Sequence, residues 1–331
     1  MKHNNIAIFI PHIGCPHLCS FCNQVSISGE KNIPHEDDVR RICSLAISDI
    51  YEKKNTEIAF FGGSFTAIDR DYMTELLSAA SEFVGDGKFK GIRISTRPDY
   101  IDDDILMTLK HYGVTAIELG AQSMSDKVLS ANERGHSADD IREASALIKS
   151  YGFELGLQMM VGLYQSTEAD EYYTMCEIAA LKPDTVRIYP VAVLRNTKLG
   201  ELYNSGIYKL YDFDKAVDIC ANMLYMFEFM GIKVIRLGLH SSEEVSSNAV
   251  AGFYHPAFKE LCESRIFRTI ILSALHEKKG SYIVYVAKGA LSKAIGQKKS
   301  NIEYFKQSGL NITIKESSGL NGYGISIKEV K

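Results

Sequence analysis

Residues 14 to 22, GCPHLCSFC, place three of the chain's seven cysteines in one short stretch. Thiolates separated by three and then two residues can wrap a single metal centre from one loop. A structural zinc ion would need a fourth ligand, and His12 or His17 could supply it, since three sulfurs and one nitrogen form a common zinc set. A [4Fe–4S] cluster held by Cys15, Cys19 and Cys22 would instead leave one iron free for a small chelating substrate. Spacing alone leaves the two readings level.

Further residues able to do chemistry follow at intervals. FFGGSFTAID carries Gly62 and Gly63, whose backbone can approach a ligand closely. STRPDYID sets Arg97 and Asp99 about a proline, and GAQSMSDKVLSANERGHS carries Gln122, Arg134 and His136. Each has an ordinary explanation as a turn or cap; jointly they point to one ligand.

These stretches need a scaffold that brings them together. NIAIFIPHI, TEIAFFGG, GIRIST, AIELGAQS, FELGLQMMVG and TVRIYPVAV read as six β-strands, each of the first five followed by a helical pattern. That alternation predicts an α/β fold, a partial (β/α)6 TIM-type barrel of parallel strands with functional residues just after the strands. YDFDKAVDICANMLYMFEFMG reads as a further helix and KVIRLGL as a further strand. The barrel is expected to occupy residues 1–240, residues 241–275 to form a polar extension packed on it, and residues 276–331 a separate module.

Composition narrows the class. A chain of 331 residues that is 46% hydrophobic can bury a large core. Its first apolar run is too short to span a membrane and lacks a signal-peptide pattern, which predicts a cytoplasmic protein with no membrane partner. The remaining cysteines, Cys43, Cys176, Cys220 and Cys262, fall in apolar patterns and read as buried small hydrophobes. The net charge of −4 hides a division: residues 276–331 hold ten lysines and four glutamates, giving +6, and the rest of the chain carries −10. A basic module on an acidic body suggests a separate partner.

The motifs together resemble the radical S-adenosylmethionine superfamily, and within it the radical domain of the Elongator catalytic subunit and its bacterial relatives. The resemblance runs from Ile6 to Glu263 and rests on GCPHLCSFC, FFGGSFT, STRPDYI, IELGAQSMSDKVL with RGHS, MVGL, RIYPVAVLRNTKL and AGFYHPAFKELCESR. It implies that Cys15, Cys19 and Cys22 bind a [4Fe–4S] cluster whose fourth iron is chelated by S-adenosyl-L-methionine. It also implies that Gly62 and Gly63 meet the methionine amino group, that Ser95, Gln122 and Arg134 contact ribose and carboxylate, and that Phe21 packs on adenine. The expected reaction is reductive cleavage to a 5′-deoxyadenosyl radical, with ferredoxin or flavodoxin as electron donor.

This sequence departs from that pattern at several points. The Elongator subunit spaces its first two cysteines farther apart, has an N-terminal RNA-binding segment, and carries an acetyltransferase domain with no counterpart here. Carboxymethylation of wobble uridine by this chain alone is therefore not implied. Tyr164 and Gln165 stand where relatives tend to have Pro-Gly.

VYVAKGALSKAIGQKKSNIEYFKQSGLNITIKE resembles the KH RNA-binding fold, with Gly296-Gln297-Lys298-Lys299 in place of its Gly-x-x-Gly loop. The resemblance implies single-stranded RNA at Gly296, with Lys293, Lys298 and Lys299 near phosphates. The leading expectation is an enzyme that modifies tRNA or ribosomal RNA. The alternatives are a radical enzyme for a peptide or small metabolite with a structural KH-like piece, and a zinc-stabilised RNA adaptor.

Overall fold

The computed structural model describes residues 4–11, 15, 19–23, 32–239, 243–276 and 278–330. His12 and His17 lie outside these residues. Seven parallel strands form a single curved sheet in the order of the chain: β1 (Asn4–Ile10), β2 (Thr56–Gly62), β3 (Gly91–Thr96), β4 (Val114–Gln122), β5 (Glu154–Val161), β6 (Thr185–Pro190) and, after the short β7 (Ala192–Leu194), β8 (Lys233–Leu237). The partial barrel is thus the expected one, and KVIRLGL joins it as a seventh strand beside β6.

A period of two explains how one sheet serves two purposes. Ile92 and Ile94 of β3, Leu155 and Leu157 of β5, and Val186 and Ile188 of β6 belong to the core between sheet and helices. The alternate residues face the barrel interior: Arg93, Glu118, Arg187 and their neighbours. There Arg93 is 2% exposed and donates to Glu57 (2.8 Å), Glu118 (3.2 Å) and Glu154 (2.6 Å). Arg187 adds a second cation on Glu118, with Nε 2.6 Å from Oε2, and Lys90 approaches Glu57 and Glu154. Three cations meet three carboxylates, so the buried charges are compensated.

The helices begin where the sequence places acceptors. Ser137 with Asp140 and Thr167 with Asp170 form capping boxes for Ala138–Ser150 and Glu168–Ala180. Cys43, Cys220 and Cys262 are buried as expected, but Cys176 is exposed. Helix Glu168–Ala180 turns Met175 and Ile178 to the core and Cys176 to the opposite side.

The extension after the barrel is more ordered than its polar composition suggests. It contains helix Glu243–Asn248 and strand β9 (Ala249–Gly252), which pairs antiparallel with β7. Helix Phe258–Leu275 follows, and it serves two cores. Phe258, Cys262 and Ile266 pack into the barrel core, whereas Phe267, Ile271 and Leu275 complete the core of the C-terminal module.

That module has a central strand β10 (Gly280–Ala287), parallel to β11 (Leu310–Ser317) and antiparallel to β12 (Ile325–Val330). Helices Leu291–Ile295 and Ser300–Gln307 lie between β10 and β11, in the strand–helix–loop–helix–strand order expected from the sequence.

Candidate active site

The C-terminal ends of the barrel strands surround a cavity of about 400 Å³. Cys15, Cys19, Cys22 and Phe21 form one wall; Gly62, Gly63, Ser95, Gln122 and Arg134 also line it. The structure therefore brings every cysteine and cofactor residue expected from the sequence to a single space.

The cysteine turn is held from several directions. Cys22 N–H donates to Cys19 O at 3.0 Å, closing the turn. Ser20 between them donates through its amide to Asn132 O (3.1 Å) and through its hydroxyl to Asn132 Oδ1 (2.8 Å), while its carbonyl accepts from Leu199 N–H (2.7 Å). Asn132 is fully buried and donates its amide hydrogens to Val128 O and Tyr164 O. Ser20 and Asn132 were not among the expected site residues. Both stand inside quoted motifs, but nothing in the sequence pairs positions 112 apart.

At the end of β2, Gly62 has φ of 109°, a conformation open to glycine and strained for other residues. Gly63 N–H is drawn back to Ile10 O (2.8 Å), binding the β2 turn to the end of β1. At the end of β4 the ladder shifts register between Gly120 and Gln122, and Gln122 takes a left-handed φ of 65°. Its side-chain Oε1 accepts from Gln158 Nε2 at 3.1 Å. A Cβ on Gly120 would lie 2.8 Å from Gln122 Nε2 and 3.3 Å from Arg134 Nη2, so the absence of a side chain there lets these groups converge.

Arg134 donates from Nη1 to Cys19 Sγ (2.8 Å) and from Nη2 to Gly120 O (2.7 Å), with its guanidinium 6.0 Å from the Phe21 ring centre. Its Nε is buried and has no hydrogen-bond partner among the described residues. Behind it, Arg97 grips Asp99 with two hydrogen bonds (2.9 and 2.8 Å) and donates to Arg134 O at 2.6 Å. His136 is buried beside this pair. Burial, reinforced by the Arg134 charge, lowers its pKa to about 4, so it is a neutral packing group at neutral pH.

The far wall comes from β6 and β8. Arg187 spreads over the Phe61 ring at 5.1 Å and donates to Tyr189 Oη at 3.3 Å; Arg236 donates from Nε to Gly238 O at 3.0 Å. Arg187 and Arg236 lie in the strand patterns TVRIYPVAV and KVIRLGL, where residue type alone does not mark them as wall residues. Beyond β5, Gln165 has φ of 61°, so the altered turn keeps a left-handed residue without glycine. Glu171 is buried beneath it, accepting from Gly162 N–H (2.7 Å) and Ser166 Oγ (2.8 Å), and burial raises its pKa to about 7.

Three soft sulfur donors on one wall, a buried arginine nitrogen with no acceptor among the described residues, and a glycine-lined approach fit a cluster plus an amino-acid-bearing cofactor. Family comparison decides the class. Residues 9–175, just over half of the chain, match the radical SAM superfamily, and residues 183–268 match its Radical_SAM C-terminal domain.

The chain belongs to the radical SAM superfamily. It is a radical SAM enzyme, and the cofactors of the family are a [4Fe–4S] cluster and S-adenosylmethionine. Elongator complex protein 3 of Saccharomyces cerevisiae is 32% identical over 190 residues, covering 51% of this chain and 34% of that protein. The tRNA uridine(34) acetyltransferase of Methanocaldococcus infernus is 27% identical over 183 residues, covering 49% and 34%. The match thus spans about a third of the length of these curated relatives. The structure of Methanocaldococcus infernus Elp3 lacking residues 1–46 overlays with a TM-score of 0.64 at 21% identity, covering 80% of this chain and 63% of that one. It shares the fold of this radical SAM chain. No helix among the described residues is long and apolar enough to cross a membrane.

The residues expected to hold RNA lie away from the cavity. Lys298 and Lys299 are exposed and adopt left-handed φ of 51° and 63°. Lys293 Nζ is 3.0 Å from the buried Glu263 carboxylate of helix Phe258–Leu275. Gly296 also faces that helix: a Cβ would lie 2.7 Å from Ser264 Oγ and 2.5 Å from Ser300 Oγ. Asn301, fully buried, donates to Ser264 O and Ala294 O and accepts from Arg268 Nε, joining the loop to the helix.

Proposed function

We propose that this enzyme holds a [4Fe–4S] cluster on Cys15, Cys19 and Cys22 and modifies RNA, tRNA or ribosomal RNA, in the cytoplasm. When bound, the cluster and S-adenosylmethionine supply a 5′-deoxyadenosyl radical that removes hydrogen from an unreactive carbon. The observation that carries the reading is the convergence of three cysteines, Gly62, Gly63, Ser95, Gln122 and Arg134 on one cavity.

The chain's own residues bind, orient and shield. The glycine-lined turn at Gly62 and Gly63 lets backbone carbonyl oxygens accept from the methionine amino group, since the Gly63 N–H is already given to Ile10 O. Arg134 directs its free Nε toward the carboxylate, and Ser95 and Gln122 take the ribose. Phe21 offers a face to adenine, while Phe9 and Phe61 add apolar surface to a wall that also carries Arg187 and Glu118, and enclosure by that wall shields a reactive species from water. The electron comes from a low-potential donor such as ferredoxin or flavodoxin.

RNA is favoured as substrate by the similarity to a protein named for acting on tRNA and by the +6 charge of residues 276–331. Mass spectrometry of RNA nucleosides from cells with and without the gene tests it. One nucleoside should disappear, and purified reduced protein should restore it to RNA from the deletion strain. Unchanged nucleosides, with S-adenosylmethionine cleavage intact, would shift the substrate to a peptide or small metabolite.

A further inference from the structure

We infer that the outer face of the small sheet is a platform for single-stranded RNA, on which Tyr285 stacks against a base and Lys315 and Lys328 hold neighbouring phosphates. The inference rests on RNA being the substrate and states where it is gripped.

Alternation along the three strands separates their faces. Tyr282, Val284 and Val286 of β10 turn inward to Phe267, Ile271 and Phe305, as part of the module's core. Ile283 and Tyr285, one position out of phase, are half-buried and lie outside that core. Parallel pairing sets Tyr285 beside Lys315 and Ile283 beside Thr313; antiparallel pairing sets Tyr285 beside Ser326 and Ile283 beside Lys328. Lys315, Ser326 and Lys328 are exposed. Tyr285 is therefore flanked by one lysine directly opposite and by another on the diagonal, at about 7–8 Å.

No aspartate or glutamate occupies an outward position on these strands: Glu316 and Glu329 fall in the inward phase. The helices of the module all take part in the inner core, leaving the outer face to solvent. A half-buried aromatic on a rigid central strand, edged by cations and free of carboxylates, has the two elements that single-stranded nucleic acid needs: a stacking surface and compensation for phosphate charge.

The lysine loop is less suited to that task. Its first glycine packs against Ser264 and Ser300 rather than offering open backbone, and Lys293 is engaged by Glu263. Lys298 and Lys299 remain exposed but have no aromatic beside them in the loop.

The test uses the full chain and a fluorescein-labelled oligouridylate, with affinity measured across a salt series. Tyr285→Ala should weaken binding by about tenfold or more, the loss of one base–aromatic stack, while Tyr285→Phe, which keeps the ring, should bind near wild-type strength. Lys315→Glu with Lys328→Glu should lower the log–log salt slope by about 1.4, roughly 0.7 per phosphate. Lys298→Glu with Lys299→Glu should retain most of the affinity. Thermal unfolding of the lysine variants should match wild type because those side chains are exposed, and Tyr285→Phe, which keeps the half-buried ring, is the control for any loss of stability in Tyr285→Ala. Loss of binding in the loop variant, with Tyr285→Ala and the sheet lysine variant unaffected, overturns the platform and leaves RNA as substrate. Failure of the wild type to bind either oligouridylate or RNA from the deletion strain overturns both.

Discussion

At the mouth of the barrel, candidate residues are buried or held by neighbours: Asn132 fixes Ser20, Ser20 fixes the cysteine turn, and Arg97 holds the carbonyl of Arg134. On the outer face of the small sheet, Lys315 and Lys328 extend into solvent, and only the strands beneath them are fixed. The difference follows from what each region has to recognise. Chemistry at a metal centre needs particular atoms held to a fraction of an ångström, whereas a phosphate-and-base surface needs charge and an aromatic plane at approximate spacing. Single substitutions at the mouth should thus act sharply, and those on the sheet gradually.

The sharpest contrast should come from Cys19→Ala. It should abolish iron binding and all cleavage of S-adenosylmethionine while leaving the fold intact, as read by iron analysis and circular dichroism. Stoichiometric zinc in place of iron in the wild type would contradict the cluster assignment.

Glu171 should make the barrel sensitive to pH in a way the sheet is not. Its carboxyl titrates near 7 in the folded protein, against 4.5 ordinarily. Between those values the native state keeps a proton that the unfolded chain releases, so this group's contribution is fully present below 4.5 and is lost as pH rises through 7. The difference is worth at most about 3 kcal/mol. Glu171→Gln should remove that slope in urea unfolding measured from pH 4.5 to 8; an unchanged slope would mean that another group causes it.

Arg134→Ala should weaken S-adenosylmethionine binding by ~1.5–3 kcal/mol, the range of a hydrogen bond to a charged group, with iron content retained because the three cysteines remain. Loss of the cluster would make Arg134 a support for Cys19, to which it already donates. Asn132→Ala should cost about 2 kcal/mol of stability by leaving buried partners unsatisfied. Thr313→Ala on the open sheet should stay within about 0.5 kcal/mol, the usual result at an exposed site. Equal effects at the two positions would remove the distinction drawn between the regions.

Much of the mouth was legible in the sequence because its chemistry restricts residue type. A cluster needs closely spaced thiolates, a tight approach needs Gly62, and strand–helix alternation places both at the ends of parallel strands. Arg187 and Arg236 were not legible as wall residues, since a strand's facing is settled only by its register. The bond between Ser20 and Asn132 joins distant segments and has no local signature. Residues 241–275 read as a connecting extension packed on the barrel; within them helix Phe258–Leu275 also supplies Phe267 and Ile271 to the C-terminal core, a division that one continuous apolar pattern does not mark. The strand–helix–loop–helix–strand order was visible, but the packing of Gly296 against Ser264 belongs to tertiary structure.

If the cavity formed by the cysteine turn and the strand ends works as a radical S-adenosylmethionine centre, it must cleave that cofactor once loaded and reduced. The most direct test is to reconstitute the protein with iron and sulfide without oxygen, reduce it, add S-adenosylmethionine, and measure the products by mass spectrometry. The wild type should yield 5′-deoxyadenosine and methionine in equal amounts, and Cys19→Ala none. A fully loaded, reduced wild-type protein that leaves S-adenosylmethionine intact, with and without RNA, would contradict that role of the cavity.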